Sequence, residues 1–297
     1  MLLAFSLSIH FSVAGPSKRV FDERDGLSGG AIFDINFDDY GFVWLATEQG
    51  LYRASSSMVR RIDKVGFESM LEHEKLHTVK SVDANTLYVG AFSGNYLYDI
   101  HQNQFTKLSL EDIETSPLTH IIKAKPGLFG QFYALSKNGH VFQMNKAKQQ
   151  LDFEFSLTAT TDTHWRDFAE LDDSSMIFIG KRSVIWVAPH RRQININWPS
   201  EYGEINEILV ANNQVWLMAS KGLFTVDLDE KKITTIDNMP YFLKAGVIDQ
   251  EGMFWLGGYD GLIKWDPIKN LQINYKQQLK MPPTLTTCLT LPWIKMV

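Results

Sequence analysis

The feature that most limits what this chain can fold into is a repeat. Its clearest copy, Asp25 to Arg53, reads DGLSGGAIFDINFDDYGFVWLATEQGLYR. Ala31 to Phe37 alternates apolar and polar residues, as a half-buried strand does. Asp38-Asp39-Tyr40-Gly41 supplies hairpin chemistry: side-chain oxygens that cap a turn, and a glycine free to take positive φ. A second strand, Phe42 to Thr47, carries Trp44, and a turn at Glu48-Gln49-Gly50 leads into Leu51-Tyr52-Arg53. A ribbon of two or three strands buries too little surface to stand alone. What recurs along the chain therefore decides the fold.

The position of Trp44 recurs as Tyr88, Tyr133, Ile177, Trp216 and Trp255, at intervals of 39 to 45 residues. Three residues after each anchor comes a small residue: Thr47, Ala91, Ser136, Gly180, Ala219, Gly258. Six after it stand Gly50, Gly94, Gly139, Ser183, Gly222 and Gly261, and eight after it Tyr52, Tyr96, Val141, Ile185, Phe224 and Ile263. A period of this length with several short strands per unit predicts an all-β chain folded as a β-propeller, each copy a four-stranded blade. The anchors then fill the layer between blades. The small residue permits close approach, and the glycine turns the next hairpin. These are packing roles, so none of the repeat residues is assigned to catalysis.

The order of DGLSGG, an aspartate-bearing turn with Gly-x-x-Trp, and small-x-x-Gly-Leu-Tyr resembles the two-component regulator propeller repeat. A second clear copy runs from Val247 to Trp255 and closes with Gly261-Leu262-Ile263-Lys264; the fifth copy keeps Trp216 and Gly222-Leu223-Phe224. Copies two to four keep the spacing without the Asp-x-x-Gly turn. The similarity runs from Lys18 to Lys276. It implies a periplasmic or extracellular sensor propeller of seven-bladed type, signalling through a change in packing or a homodimer contact. In that family a membrane helix and a histidine kinase, diguanylate cyclase or DNA-binding module commonly follow. Such output activities would reside outside these residues. Trp293 suits a seventh anchor, but Met296 stands where a small residue is required. The expectation is six complete blades and an incomplete seventh, as in a truncated or frameshifted product.

Composition fits a single large domain: 44% of the 297 residues are apolar and 21% charged. A net charge of −5 without long runs argues against a nucleic-acid partner and gives no reason for adhesion to an anionic membrane. Cys288 is the only cysteine, so no internal disulfide forms. Leu2 to Phe11 is a short apolar run followed by Ser12-Val13-Ala14, which reads as an export signal over residues 1–14 with the propeller at 15–297. No other stretch approaches the ~18 apolar residues of a membrane span. Lys18 to Asp22 reads as an outer strand that pairs with the last blade of a closed ring.

Candidate chemistry is sparse. Phe67 to Lys75 lacks strand alternation and predicts a short helix between the first two blades. His73-Glu74-Lys75-Leu76-His77 has the spacing of a zinc protease. A third ligand is missing, though, and Leu76 to Val82 already reads as an inner strand, so no metal is expected. Gly127-Leu128-Phe129-Gly130 is a turn with no helix after it and does not cradle phosphate. No nucleophile elbow appears, and neither catalytic residues nor cofactors are assigned. His77, His120 and His164 open the inner strands of blades two, three and four; Trp165 and Arg166 accompany the last, and Asn206 and Lys244 hold comparable positions in blades five and six. The loops feeding inner strands converge on one mouth of the central channel, where a small molecule or oligosaccharide would bind. The reading is a non-enzymatic sensor. The alternatives are a periplasmic interaction scaffold without a small ligand, or a propeller enzyme acting on glycans, which would need a denser cluster of carboxylates, histidines and arginines.

Overall fold

In the computed structural model, which describes residues 21, 23–28, 30–62, 75–111, 120–158, 164–259 and 261–275, one carboxylate organises the first hairpin. Asp38 Oδ1 accepts the backbone N–H groups of Tyr40 (3.0 Å) and Phe42 (2.9 Å), while Oδ2 accepts the indole N–H of Trp44 (2.7 Å). Turn and anchor are held by the same buried side chain. Asp249 repeats the arrangement with Glu251 (2.9 Å), Met253 (2.8 Å) and Trp255 (2.9 Å). Where the anchor is Tyr88, Tyr133 or Ile177 there is no indole to hold, and the cap position is Val82, Gly127 or Leu171. Trp216 follows a two-residue turn, Asn212-Asn213, with φ of 50° and 59°, the left-handed pair that a tight hairpin requires. Asp38→Ala removes both turn bonds and leaves a buried indole N–H unpaired. It is expected to cost about 2–3 kcal/mol in denaturant unfolding, with Asp38→Asn in between.

The strands β1 (Ile32–Phe37), β2 (Val43–Thr47), β3 (Gly50–Ala54) and β4 (Val59–Arg61) form an antiparallel meander in chain order. The second meander has β5 (Leu76–Asp83), β6 (Thr86–Ala91), β7 (Gly94–Asp99) and β8 (Gln104–Leu110); the third has β9 (Ile121–Pro126), β10 (Phe132–Ser136), β11 (His140–Asn145) and β12 (Gln150–Ser156). The fourth has β13 (Trp165–Glu170), β14 (Met176–Gly180), β15 (Val184–Val187) and β16 (Gln193–Ile196). The fifth has β17 (Ile205–Ala211), β18 (Gln214–Ala219), β19 (Gly222–Asp227) and β20 (Lys232–Thr235). The sixth has β21 (Leu243–Ile248), β22 (Phe254–Gly258), β23 (Gly261–Asp266) and β24 (Leu271–Tyr275).

Five apolar layers are each shared by two consecutive meanders, while a sixth cluster, around Leu45, Tyr52 and Val59, belongs to the first alone. Trp44 and Leu51 pack on Val79, Leu87 and Tyr98; Tyr88 and Leu97 pack on Ile121 and Phe132; Tyr133 and Val141 pack on Phe168 and Phe178. Ile177 then meets Ile208 and Leu217, and Met218 meets Leu243 and Leu256. Trp44, Tyr88, Tyr133 and Ile177 sit in these layers as the repeat requires, as does Trp216, only partly buried; Trp255 instead stacks on Tyr275 of its own blade (5.8 Å). The glycine six residues on is a steric necessity at Gly139, where φ is 83° and a Cβ would lie 2.5 Å from Trp165 Nε1. The first strands β1, β5, β9, β13, β17 and β21 touch one another in sequence, which places them innermost.

One connection has no counterpart in the repeat. Strands β8 and β12 pair in parallel, Ser109 with Gln150 and Leu110 with Leu151, so the second and third meanders join into one eight-stranded sheet. Among the described residues no helix is long and apolar enough to cross a membrane. The export segment and the seventh anchor Trp293 lie outside the described residues, as does the strand at Lys18 to Asp22 except for Phe21, which is not in a strand. So does the expected helix, except for Lys75, which is not helical.

Candidate functional site

Every inner strand shifts register just after its first residue. The shift falls between Ile32 and Asp34, Leu76 and Thr78, Trp165 and Asp167, Ile205 and Glu207, and Leu243 and Ala245; in β9 it falls between Ile121 and Lys123. The extra residue is Phe33, His77, Ile122, Arg166, Asn206 or Lys244. A bulge re-aims its side chain out of the pleat. Four of the expected mouth residues therefore share one structural position. His120 and His164 instead precede their strands by one residue, and Trp165 is a buried packing residue over Gly139.

The structure brings these residues into three groups around the mouth. His77 lies edge-on to His120 (5.3 Å) and to Phe92 (5.9 Å), and Phe92 stacks on His120 (5.4 Å, 23°). Space for His77 comes from Gly90, where a Cβ would meet the imidazole at 2.7 Å. Arg166 donates to Asn206 Oδ1 (2.9 Å) and Glu204 (2.9 Å); Glu204 also pairs with Lys181 (2.7 Å), and Asn206 donates to the Leu243 carbonyl (2.6 Å). Arg166 and Asn206 thus tie the fourth, fifth and sixth meanders together at the rim. Lys244 sits over Tyr259 (5.6 Å), which meets Phe242 edge-on (5.8 Å). His164 is exposed and joins neither histidine.

The sequence reading missed Phe92, Lys181 and Tyr259. All three occupy the position four residues after an anchor, in the turn between second and third strands, so the repeat offset alone locates them. Phe92 and Tyr259 are 62% and 57% exposed, so each leaves much of a large apolar ring open to solvent.

Burial, reinforced by the nearby His120, lowers the His77 pKa to about 4; burial and Lys137 also lower that of His120. Unfolded, His77 titrates near 6.5, so between these values the unfolded chain binds the extra proton. Stability is full above about pH 6.5 and falls by about 2–3 kcal/mol towards pH 4 through this residue. Urea unfolding at pH 7 and pH 4.5 checks this, because His77→Gln is expected to flatten the dependence.

Among the described residues no group of three or more His, Cys, Asp or Glu side chains sits close enough to hold a metal. No protein family matches the sequence, and no curated protein does. Solved structures do match. The extracellular domain of a one-component system from B. thetaiotaomicron superimposes with a TM-score of 0.66 and 16% identity, over 88% of this chain and 36% of that one. That of a hybrid two-component system from the same organism gives 0.69 and 14%, over 85% and 36%. Virginiamycin B lyase from Staphylococcus aureus gives 0.65 and 12%, over 84% and 85%. The chain folds as a β-propeller. At these identities the likeness extends to the fold, and the chain spans about a third of the length of the two sensor domains.

Below the mouth, the propeller channel carries a belt of charge. Asp34 Oδ2 accepts the Val79 N–H (3.0 Å), Asp167 Oδ2 that of Ile208 (3.3 Å), and Glu207 Oε2 that of Gly246 (2.7 Å). Each carboxylate follows a bulge and bonds the next blade's inner strand one residue past the equivalent position. Lys80 neutralises Asp34 (2.6 Å), and Lys125 and Lys123 flank Asp167 (2.7 and 3.8 Å). Burial pushes the Glu207 carboxyl up. Burial also opposes ionisation of Asp167, but Lys123 and Lys125 outweigh it and hold the carboxyl below its ordinary value.

Proposed function

We propose that this chain is the extracytoplasmic recognition propeller of a bacterial signal-transduction protein, binding a small molecule or oligosaccharide at the mouth where the inner strands begin. The observation that carries this reading is the pairing of exposed aromatic faces with polar groups at that rim: Phe92 beside His77 and His120, and Tyr259 beside Lys244. Flat rings take the C–H face of a sugar, while imidazole and ammonium groups donate to hydroxyls or acidic substituents. The repeat grammar and the two-component sensor domains sharing the fold support a periplasmic receptor with seven places in its ring, the last begun by residues near Trp293. By the same resemblance, occupancy is relayed through blade packing or contact with a second copy. The rim bonds of Arg166 and Asn206 are where a ligand would bias that packing.

A thermal-shift screen with neutral and acidic oligosaccharides tests the reading. A ligand-specific rise that Phe92→Ala and His120→Ala abolish supports the mouth; a rise those variants keep overturns it. The lyase fold neighbour favours a second reading, an enzyme at the same rim. Cleavage of a screened compound by the wild type, lost in His120→Ala, would establish it in place of the sensor.

A further inference from the structure

We propose that the cleft between the outer parts of the first and second blades is a separate binding site for a compact oxyanion. It encloses about 230 Å³. Arg53, Arg60 and Arg61 line it from the first blade; Tyr98 and Asn103 line it from the second, with Ile62 and Ile100 as apolar walls. Among the described residues no carboxylate lines it. The protein as a whole carries a net charge of −5, so a concentration of guanidinium groups at one seam runs against its overall sign.

Arg53 and Arg60 are direct partners on the antiparallel strands β3 and β4. Like charges in that relation repel and weaken a sheet, so the pair is a cost to the free protein that an anion would relieve. Arg53 is also held in place: its guanidinium lies over Phe42 (4.6 Å) and Trp44 (5.7 Å). Stacking of this kind fixes a planar fork before any ligand arrives, and forks suit the paired oxygens of phosphate, sulfate or carboxylate. Across the cleft the Tyr98 hydroxyl donates to Asn103 Oδ1 (2.6 Å), so the Asn103 amide has donors left to offer. Guanidinium groups and an amide N–H₂ make a donor-rich wall, and the isoleucines leave room for a small apolar body on the anion. The cleft takes its lining from the third and fourth strands of the first blade and from the third strand and third-to-fourth turn of the second, away from the rim of Phe92 and Tyr259.

Thermal unfolding of the full chain at fixed ionic strength, with chloride replaced in steps by inorganic phosphate, sulfate or acetate at low millimolar levels, tests this. Wild type is expected to gain several degrees with at least one oxyanion over chloride, and the anion that acts distinguishes tetrahedral from carboxylate chemistry. Arg60 is exposed, so Arg60→Gln is expected to fold and to bind at least tenfold more weakly. Without oxyanion at low salt, Arg60→Gln is expected to melt about 1–2 °C above wild type, because the repulsion is gone. Phe92→Ala is expected to keep the full response, which separates this site from the mouth. Equal responses in wild type and Arg60→Gln, or no response in either, would overturn the site. A lower melting point for Arg60→Gln without oxyanion would overturn the repulsion between the arginines.

Discussion

Asp167→Ala is expected to cost about 3–5 kcal/mol, because it leaves two cations in the channel without their counter-charge. The carboxylate is 2% exposed and within 2.7 Å of Lys125 and 3.8 Å of Lys123. It also accepts the N–H groups of Phe168 (2.9 Å) and, from the next blade, Ile208 (3.3 Å). The lysine side chains keep 22% and 27% of their surface open to the channel, so water softens the loss towards the lower end of that range. Asp167→Asn keeps an acceptor for Ile208 and removes only the charge, which separates the two contributions. The pH dependence gives an independent check. Asp167 is more acidic folded than unfolded, so its stabilisation is present above the unfolded value near pH 4 and is lost as pH falls through the folded one. Wild type is therefore expected to lose stability more steeply than Asp167→Asn on acidification in guanidinium unfolding series.

Trp44→Ala is expected to cost a similar amount, about 3–5 kcal/mol, by a different route. The indole is 0% exposed and fills the layer between the first two blades, edge-on to Tyr98 at 5.5 Å. Truncation leaves a cavity that a two-sheet interface does not easily close, and it strands Asp38 Oδ2 without its donor. In a chain of this size the melting point is expected to fall by roughly 6–15 °C. Trp216→Ala, at the partly buried anchor of the fifth blade, is expected to fall by less than half as much. Equal shifts for the two anchors would show that burial in the layer is not what they share.

How far this structure could be read in advance depends on whether a residue's role repeats. The anchors and the residue six later, glycine in five copies and Ser183 in the fourth, do, and they mark the turn between the second and third strands of each described blade. The bulge was only half legible: His77, Arg166, Asn206 and Lys244 were picked out as polar strand openers, but the same slot holds Phe33 and Ile122, which carry no polar signal. Phe92 and Tyr259 went unnoticed because a turn residue is free to vary, and an exposed aromatic looks like an ordinary blade filler. Asp34, Asp167 and Glu207 were invisible for another reason. A lone acid in an alternating strand reads as its wet side, and only the packing of successive inner strands against one another turns that side into a shared channel wall. The export segment, the first helix and the seventh anchor fall on residues that the structure does not describe.

The ladder between β8 and β12 has a mechanical consequence. Elsewhere among the described residues blades share no strand ladder; they meet through side chains and single backbone bonds, such as Ile205 N–H to the Lys181 carbonyl (3.0 Å) and Phe242 N–H to that of Ser220 (2.9 Å), which yield more readily than a ladder does. The second and third blades therefore move as one rigid double leaf. Any opening or twisting of the ring is forced onto the other seams, including those bridged by Arg166 and Asn206.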